Sequence, residues 1–96
     1  MRLVWTRLAL ADRDAIFSYI EERSPQAAIR VDELIVGAAR RLVDFPAIGR
    51  LGRIEGTREL VVVGTPYIAD YAILPDRIRI LRVLHGAQMW PDELAE

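Results

Sequence analysis

The sequence predicts an α+β fold of the order β-αα-βββ, in which a helical hairpin packs on one face of a small, mostly antiparallel sheet. Residues 7–45 repeat apolar side chains every three or four positions, which is typical of amphipathic helices. Residues 57–90 instead contain three apolar or alternating runs separated by GTP and PD, which indicates an antiparallel meander. Helices followed by a block of strands favour a helical layer packed on an antiparallel sheet.

A short strand is expected at the start of the chain, at about residues 2–6. Leu3, Val4 and Trp5 form an apolar run that is too short for a helix and rich in strand-favouring types. Thr6 is a good N-cap for a first helix, which we expect at residues 7–23. The apolar stripe of this helix consists of Leu8, Ala9, Ala15, Ile16, Tyr19 and Ile20.

A second helix is expected to begin at Ser24 and Pro25, because serine caps helix N-termini and proline fits the first turn. Pro46 and Gly49 end its pattern near Phe45. Only one or two residues join the two helices, so they must lie nearly antiparallel. The stripe of the second helix consists of Ala28, Val31, Leu34, Ile35, Ala38 and Leu42.

The glycine-rich segment 46–56 is predicted to be a loop, and the strands of the meander are predicted at 57–63, 67–74 and 77–85. Both faces of these strands are apolar near their middle. Two helices can cover only one face of a four-stranded sheet. We therefore expect the other face to be partly exposed, unless the 46–56 loop or another chain covers it.

Composition limits the classes of function. The 96 residues suit one domain, which we expect to span 1–96. The absence of cysteine excludes a thiolate metal site, and no apolar run is long enough for a membrane span or a signal peptide, so we expect a soluble, cytoplasmic protein. The net charge is −1, which argues against a protein that grips nucleic acid through its phosphates, and we expect no direct sequence-specific nucleic-acid binding.

Polar residues that interrupt the predicted strands are the candidates for chemistry. No phosphate-binding loop, dinucleotide motif or cluster of metal ligands is present, so we expect neither a metal nor a cofactor. The residue types would suit RNA cleavage by the 2′-hydroxyl. Glu55 or Glu59 would take the proton, Arg58 and Arg82 would stabilise the phosphorane, and His85 would protonate the leaving oxygen.

The same residues also suit binding or an ordinary structural role. Arginine and glutamate pair across strands, and tyrosines are common strand residues. A tryptophan beyond the last strand suits either a lid on the core or an anchor for a partner. The candidates for binding a target or a partner protein are Arg50, Arg53, Arg58, Tyr67, Tyr71, Arg82, His85 and Trp90.

The motif string as a whole resembles the RelE/ParE superfamily of bacterial type II toxins, and it is most similar to the ParE, or plasmid-stabilisation, branch. The resemblance covers nearly the whole chain, with one departure at Arg13, where the family pattern usually has leucine. The matching positions are Trp5; Ala9, Asp12, Ile16, Tyr19 and Ile20; the L-x-x-F-P-x-x-G-R run at 42–50; Thr57, Arg58, Glu59 and Leu60; Pro66, Tyr67, Ile68 and Tyr71; and Ile80, Leu81, Val83, Leu84, His85 and Gly86, followed by Trp90 and Pro91.

This resemblance implies the same β-αα-βββ fold and a ParD-like antitoxin whose C-terminal segment lies in an apolar groove. It also implies DNA gyrase as the target, since ParE-like members are associated with gyrase poisoning and not with an established catalytic act. The alternative is a ribosome-dependent mRNA endonuclease of RelE type, in which Arg58 and His85 match phosphate-stabilising and general-acid positions. A silent member that acts chiefly in an antitoxin-bound repressor complex is a third hypothesis.

Overall fold

The helical hairpin lies in the chain between two short strands that form the opposite edges of one sheet. In the computed structural model, which describes residues 1–87, the elements are β1 (Arg2–Trp5), α1 (Arg7–Glu21), α2 (Pro25–Asp44), a 3₁₀ turn (Pro46–Ile48), β2 (Arg50–Leu51), β3 (Arg58–Val61), β4 (Tyr67–Ile73) and β5 (Arg77–His85). The first strand, the two long helices and strands β3, β4 and β5 confirm the predicted α+β order. The prediction for Trp90 lies outside the described residues.

The sheet has five strands in the order β1-β5-β4-β3-β2. Strand β1 runs parallel to β5, and the other neighbours are antiparallel. A parallel pair needs a long connection, and the chain between β1 and β5 contains both helices and strands β2, β3 and β4. The two-residue strand β2 was not predicted, because Arg50 and Leu51 lie between glycines in a segment with no strand pattern.

Side-chain caps fix where each helix begins, as the sequence predicts. The Thr6 hydroxyl accepts a hydrogen bond from the Ala9 N–H at 3.0 Å, and the Ser24 hydroxyl accepts one from the Ala27 N–H at 3.1 Å. Helix α1 ends two residues earlier than predicted, at Glu21, and the Ser24 N–H then donates to the Ile20 carbonyl.

The predicted strand at 57–63 is shorter in the structure, because a turn interrupts it after Val61. The Thr65 N–H and hydroxyl both donate to the Val62 carbonyl, at 3.1 and 2.8 Å. Gly64 lies within this turn, between Val62 and Thr65, with a φ of 87°, a backbone conformation that glycine adopts without strain. Strand β3 therefore ends at Val61, two residues before the predicted end.

The core lies between the helices and one face of the sheet. Its largest fully buried side chains include Tyr71, Ile35, Leu42, Ile78 and Ile80. The strand register places Ile68 and Leu84 on the opposite face, where they are also buried, whereas their neighbour Val61 is 47% exposed. The opposite face is thus exposed only in part, and mainly toward the β3 edge.

Candidate functional site

The candidate catalytic residues do not converge on one site. Tyr67 lies opposite His85 in the sheet, and Tyr71 lies opposite Arg58. Because Tyr67 and Tyr71 are four residues apart on β4, the two pairs are separated by about 13 Å along the strand. Arg58 and His85 therefore belong to two different clusters.

The first cluster consists of Arg58 and Tyr71, and it anchors the turn that follows α2. The Arg58 guanidinium donates to the Gly49 carbonyl at 2.8 Å and to the Ala47 carbonyl at 3.4 Å. The Tyr71 hydroxyl donates to the Pro46 carbonyl at 2.6 Å and accepts from the Gly49 N–H at 3.0 Å. Burial raises the pKa of the Tyr71 phenol, so it stays protonated and able to donate. The cross-strand pair of Arg58 and Tyr71 thus fixes the turn to the sheet.

Glu59 is a buried carboxylate paired with two half-exposed arginines, on the sheet face opposite to Arg58. Its side chain is 3% exposed, and its carboxylate accepts from the guanidinium groups of Arg50 at 2.9 Å and Arg53 at 3.0 Å, and from the Arg53 N–H at 3.0 Å. Burial alone would raise the pKa of Glu59, but these hydrogen bonds outweigh it and lower the pKa. A carboxylate held in this way is a poor proton acceptor, while Glu55 is exposed.

Arg82 is bound to helix α1. Its guanidinium makes two hydrogen bonds to the Asp12 carboxylate, at 2.8 and 3.0 Å, and this interaction raises the pKa of Arg82. Asp12 also accepts from the Val83 N–H at 2.9 Å. One aspartate therefore holds both a strand arginine and the strand backbone, which explains why this acidic residue lies within the apolar pattern of α1.

The second cluster forms a small cleft beside α1. Tyr67 and His85 stack edge to face with ring centroids 5.6 Å apart, and the cleft of about 160 Å³ that they line also reaches Asp12 and Ile16. The His85 Nδ1 accepts a hydrogen bond from the Ala87 N–H at 3.0 Å. Burial raises the pKa of Tyr67, and the nearby Tyr19 adds to the effect.

Asp70 is a notable residue that the sequence reasoning missed. Its side chain is 1% exposed, and neither carboxylate oxygen has a hydrogen-bond partner in the part of the chain that the structure describes. Burial raises its pKa to about 7 and the neighbouring Glu59 contributes, while Arg53 and Arg82 oppose the rise. An acidic residue in the middle of the apolar run YIADYAI is the sequence signal that could have identified it.

An apolar groove lies between α2 and the end of β3. It has a volume of about 300 Å³ and is lined chiefly by Leu34, Gly37, Ala38, Leu60, Val61 and Val63. Glu33 and Arg41 lie at its rim. A Cβ atom built on Gly37 would have no neighbour within 4 Å, so this glycine borders open space. The family resemblance implies an apolar groove for a partner, without giving its position in the fold.

No group of three or more histidine, cysteine, aspartate or glutamate side chains that could hold a metal ion occurs among residues 1–87. Over the same residues, no helix is both long and apolar enough to cross a membrane. The apolar groove between α2 and β3 and the smaller cleft beside α1 both have room for a ligand.

Comparison with known proteins gives one consistent family. A model of the family described as "ParE toxin of type II toxin-antitoxin system, parDE" matches residues 3–90. A protein of Sinorhizobium fredii with the name "Putative toxin Y4kP" is 47% identical over 93 residues, which cover 97% of this chain and 96% of that protein. Toxin RelE2 of Caulobacter vibrioides is 41% identical over 88 residues, 92% of this chain and 98% of that protein.

A solved structure gives the same result for the fold. A chain from the structure titled "Chromosomal ParDE TA system from P. aeruginosa" superposes with a TM-score of 0.80 at 33% identity. The match covers 88% of this chain and 95% of that chain.

Proposed function

The chain belongs to the ParE toxin family of type II toxin–antitoxin systems, within the RelE/ParE superfamily, and we propose that it inhibits DNA gyrase and thereby blocks replication. Membership in the family implies an antitoxin partner. We propose that this partner is ParD-like and that its C-terminal segment neutralises the toxin by occupying the groove between α2 and β3. The match of the ParE model over residues 3–90 is the observation that carries the proposal.

The candidate catalytic side chains are engaged in contacts within the chain, which supports a binding function over catalysis. Arg58 donates hydrogen bonds to two main-chain carbonyls, Arg82 is paired with Asp12, and Glu59 is paired with two arginines. A nuclease needs its arginines directed at the phosphate and its carboxylate available to a proton. The net charge of −1 also favours a protein target over ribosomal RNA, because each phosphate contact calls for a positive charge on the binding protein.

The lining of the groove supports the position proposed for the antitoxin. Val61 and Val63 are 47% and 80% exposed, and Leu34 is 38% exposed, so the groove presents apolar surface to solvent. Exposed apolar patches on small proteins commonly mark partner sites. A peptide in this groove would bury that surface.

Gyrase assays test the proposed target directly. The purified chain should reduce DNA supercoiling by gyrase and increase the amount of cleaved DNA trapped on the enzyme. The matched control is the chain mixed with its antitoxin before gyrase is added, which should restore supercoiling. Unchanged supercoiling and unchanged cleavage with the free, folded chain would contradict the gyrase proposal.

The ribosome-dependent endonuclease is the second candidate function, and the relative named Toxin RelE2 favours it. It predicts that mRNA is cut only when ribosomes are present. It also predicts that Arg58→Ala and His85→Ala each abolish toxicity while circular dichroism shows a folded chain. Loss of toxicity in both variants together with ribosome-dependent cutting would replace gyrase inhibition as the function.

Substitutions at Gly37 test the position of the antitoxin. Gly37→Trp would fill the groove from a helix position with open space around it, so the chain should stay folded and toxic but escape neutralisation by co-expressed antitoxin. Gly37→Ala adds one methyl group at the same position and should be neutralised like the wild type. Full protection of cells that express Gly37→Trp would place the antitoxin elsewhere.

A further inference from the structure

A row of charged residues crosses the sheet on the face opposite the helices. Directly opposed residues of neighbouring strands share a face, with Cβ atoms about 4.5–5.5 Å apart. Tyr71 points into the core under the helices, so its neighbour Asp70 points to the other face. The strand register aligns one charged residue from each of strands β2 to β5, namely Arg50, Glu59, Asp70 and Arg82.

Asp70 differs from the rest of this row because its side chain has no hydrogen bond. It is 1% exposed, and neither carboxylate oxygen has a partner in the described part of the chain. A neutral carboxyl group tolerates such a place far better than a carboxylate, which needs a cation or several donors when it is buried. The charged groups around it are Glu59 from β3, Arg50 from β2, Arg53 from the loop, Arg79 and Arg82 from β5 and, through Arg82, Asp12 from α1.

The arginines on the β3 side are poorly placed to serve an ionised Asp70. Arg50 and Arg53 both bind Glu59, whose side chain is 3% exposed. If either guanidinium moved to Asp70, Glu59 would lose a partner in a place almost closed to water, so little would be gained. Arg79 lies opposite Ala72, two residues further along β4, and is therefore more distant than Arg82.

Arg82 can move at a lower cost, because its partner Asp12 is more accessible to water. The Asp12 side chain is 15% exposed, and it also accepts a hydrogen bond from the Val83 N–H at 2.9 Å. Asp12 would therefore keep one donor and gain hydration if the guanidinium left. Asp12 lies on α1 and Asp70 on β4, so Arg82 on β5 lies between two carboxylates.

We propose that Asp12 and Asp70 compete for Arg82, so that loss of the Asp70 proton draws the guanidinium from α1 to the middle of the sheet. Burial raises the pKa of Asp70 to about 7, which places this exchange near neutral pH. Asp12 would then remain without its cation beside the cleft that Tyr67 and His85 line. The cleft becomes more negative and α1 is held less firmly to β5, whatever the target of the chain is.

Nuclear magnetic resonance on the wild-type chain tests the movement directly. At pH 5 the Cδ protons of Arg82 should show nuclear Overhauser effects to the Cβ protons of Asp12, and at pH 8.5 to those of Asp70. Circular dichroism at both pH values verifies that the chain stays folded. Contacts of Arg82 with Asp12 that are the same at pH 5 and pH 8.5 would overturn the proposal.

Hydrogen exchange measures how firmly α1 is held to β5. The Val83 amide donates to Asp12, so its protection factor, which is corrected for the intrinsic effect of pH, should fall at least about tenfold from pH 5 to pH 8.5. In Asp70→Asn, which has the same shape and no charge, it should change by less than about threefold. This variant retains His85 and the other groups of the cleft, so an equal fall in Asp70→Asn would assign the pH dependence to another group and overturn the proposal.

The variant Asp12→Asn tests the competition from the other side. A neutral amide holds Arg82 less well, so the guanidinium becomes available to Asp70 and favours its ionised form. The midpoint of the Asp70 titration, followed by the carbon-13 shift of its carboxyl group, should fall by at least about one pH unit. Asp14→Asn removes an exposed carboxylate from the same helix and should leave the midpoint where it is in the wild type. An unchanged midpoint in Asp12→Asn, or an equal fall in both variants, would exclude competition for Arg82.

Discussion

Asp70 couples the stability of the fold to pH. Its pKa is raised from the ordinary 3.8 to about 7, first by burial and then by Glu59, against the opposing influence of Arg53 and Arg82. The folded state therefore holds this proton more tightly than the unfolded state. The contribution of Asp70 to the free energy of unfolding should be greatest below pH 4, should fall as the pH rises toward 7, and should stay low above pH 7.

Asp70→Asn should remove that dependence, because the amide carries no charge at any pH. At pH 8 the variant should be more stable than the wild type by up to a few kcal/mol, since one pKa unit corresponds to about 1.4 kcal/mol. Urea unfolding at pH 4 and pH 8 measures the difference, with the pH 4 values as the internal control. An equal gain at both pH values would show that the charge of Asp70 is not the cause.

Tyr71 and Tyr67 look alike in sequence but differ in what their hydroxyl groups do. Tyr71→Phe loses hydrogen bonds to the Pro46 carbonyl and the Gly49 N–H, so the free energy of unfolding should fall by about 1–3 kcal/mol. Tyr67→Phe is the matched control and should change stability less, because its ring packs against His85 and its hydroxyl has no hydrogen bond within residues 1–87. A smaller loss for Tyr71→Phe than for Tyr67→Phe would exclude the anchoring role.

Helix α1 and strand β5 are joined through one carboxylate. Asp12→Ala would leave the partly buried Arg82 guanidinium and the Val83 N–H without their acceptor, so we expect a loss of about 2–3 kcal/mol in chemical denaturation. Asp14→Ala removes an exposed carboxylate from the same helix and should change stability by less than about 0.5 kcal/mol. Similar losses for both variants would show that helix charge matters, and not the contact with β5.

At the level of elements, the sequence predicts the features that depend on residues close together in the chain, such as helix caps and apolar stripes. Thr6 and Ser24 cap the helices as expected, and the periodic stripes place Ile35 and Leu42 in the core. The two-residue strand β2 could not be predicted, because it exists only through pairing with Arg58 and Glu59. The bulge that shifts the register between Asp70 and Tyr71 depends in the same way on tertiary contacts.

The candidate site shows the same limit more strongly. The residue types of Arg58, Arg82 and His85 would suit one catalytic site. Whether the three side chains lie close together depends on the strand register and on the partners that each side chain binds. Arg58 is bound to a turn 9 to 11 residues away in sequence, and Arg82 to a helix 70 residues away. Neither partner can be deduced from spacing alone.

At the scale of the whole molecule, the arrangement separates the parts that hold the fold from the parts open to a partner. Arg58, Tyr71, Glu59 and Asp12 tie turns and helices to the sheet, while the groove between α2 and β3 carries exposed apolar side chains. Substitutions in the first set should therefore lower stability with or without antitoxin. Substitutions in the groove should change mainly the stability gained on binding the antitoxin, apart from the helix propensity of the new residue.

Thermal unfolding with and without antitoxin measures that separation. A partner that binds only the folded chain at 100 times its Kd adds about 2.7 kcal/mol to stability, and 1 kcal/mol corresponds to about 4–8 °C of Tm in a domain of this size. The wild type and Gly37→Ala should both gain about 10 °C or more, and Gly37→Trp should gain almost nothing, because only tryptophan fills the groove. Without antitoxin, Gly37→Ala should be slightly more stable than the wild type, since alanine favours a helix interior over glycine by about 1 kcal/mol. An equal gain in all three chains would mean that the antitoxin stabilises the toxin through a surface other than this groove.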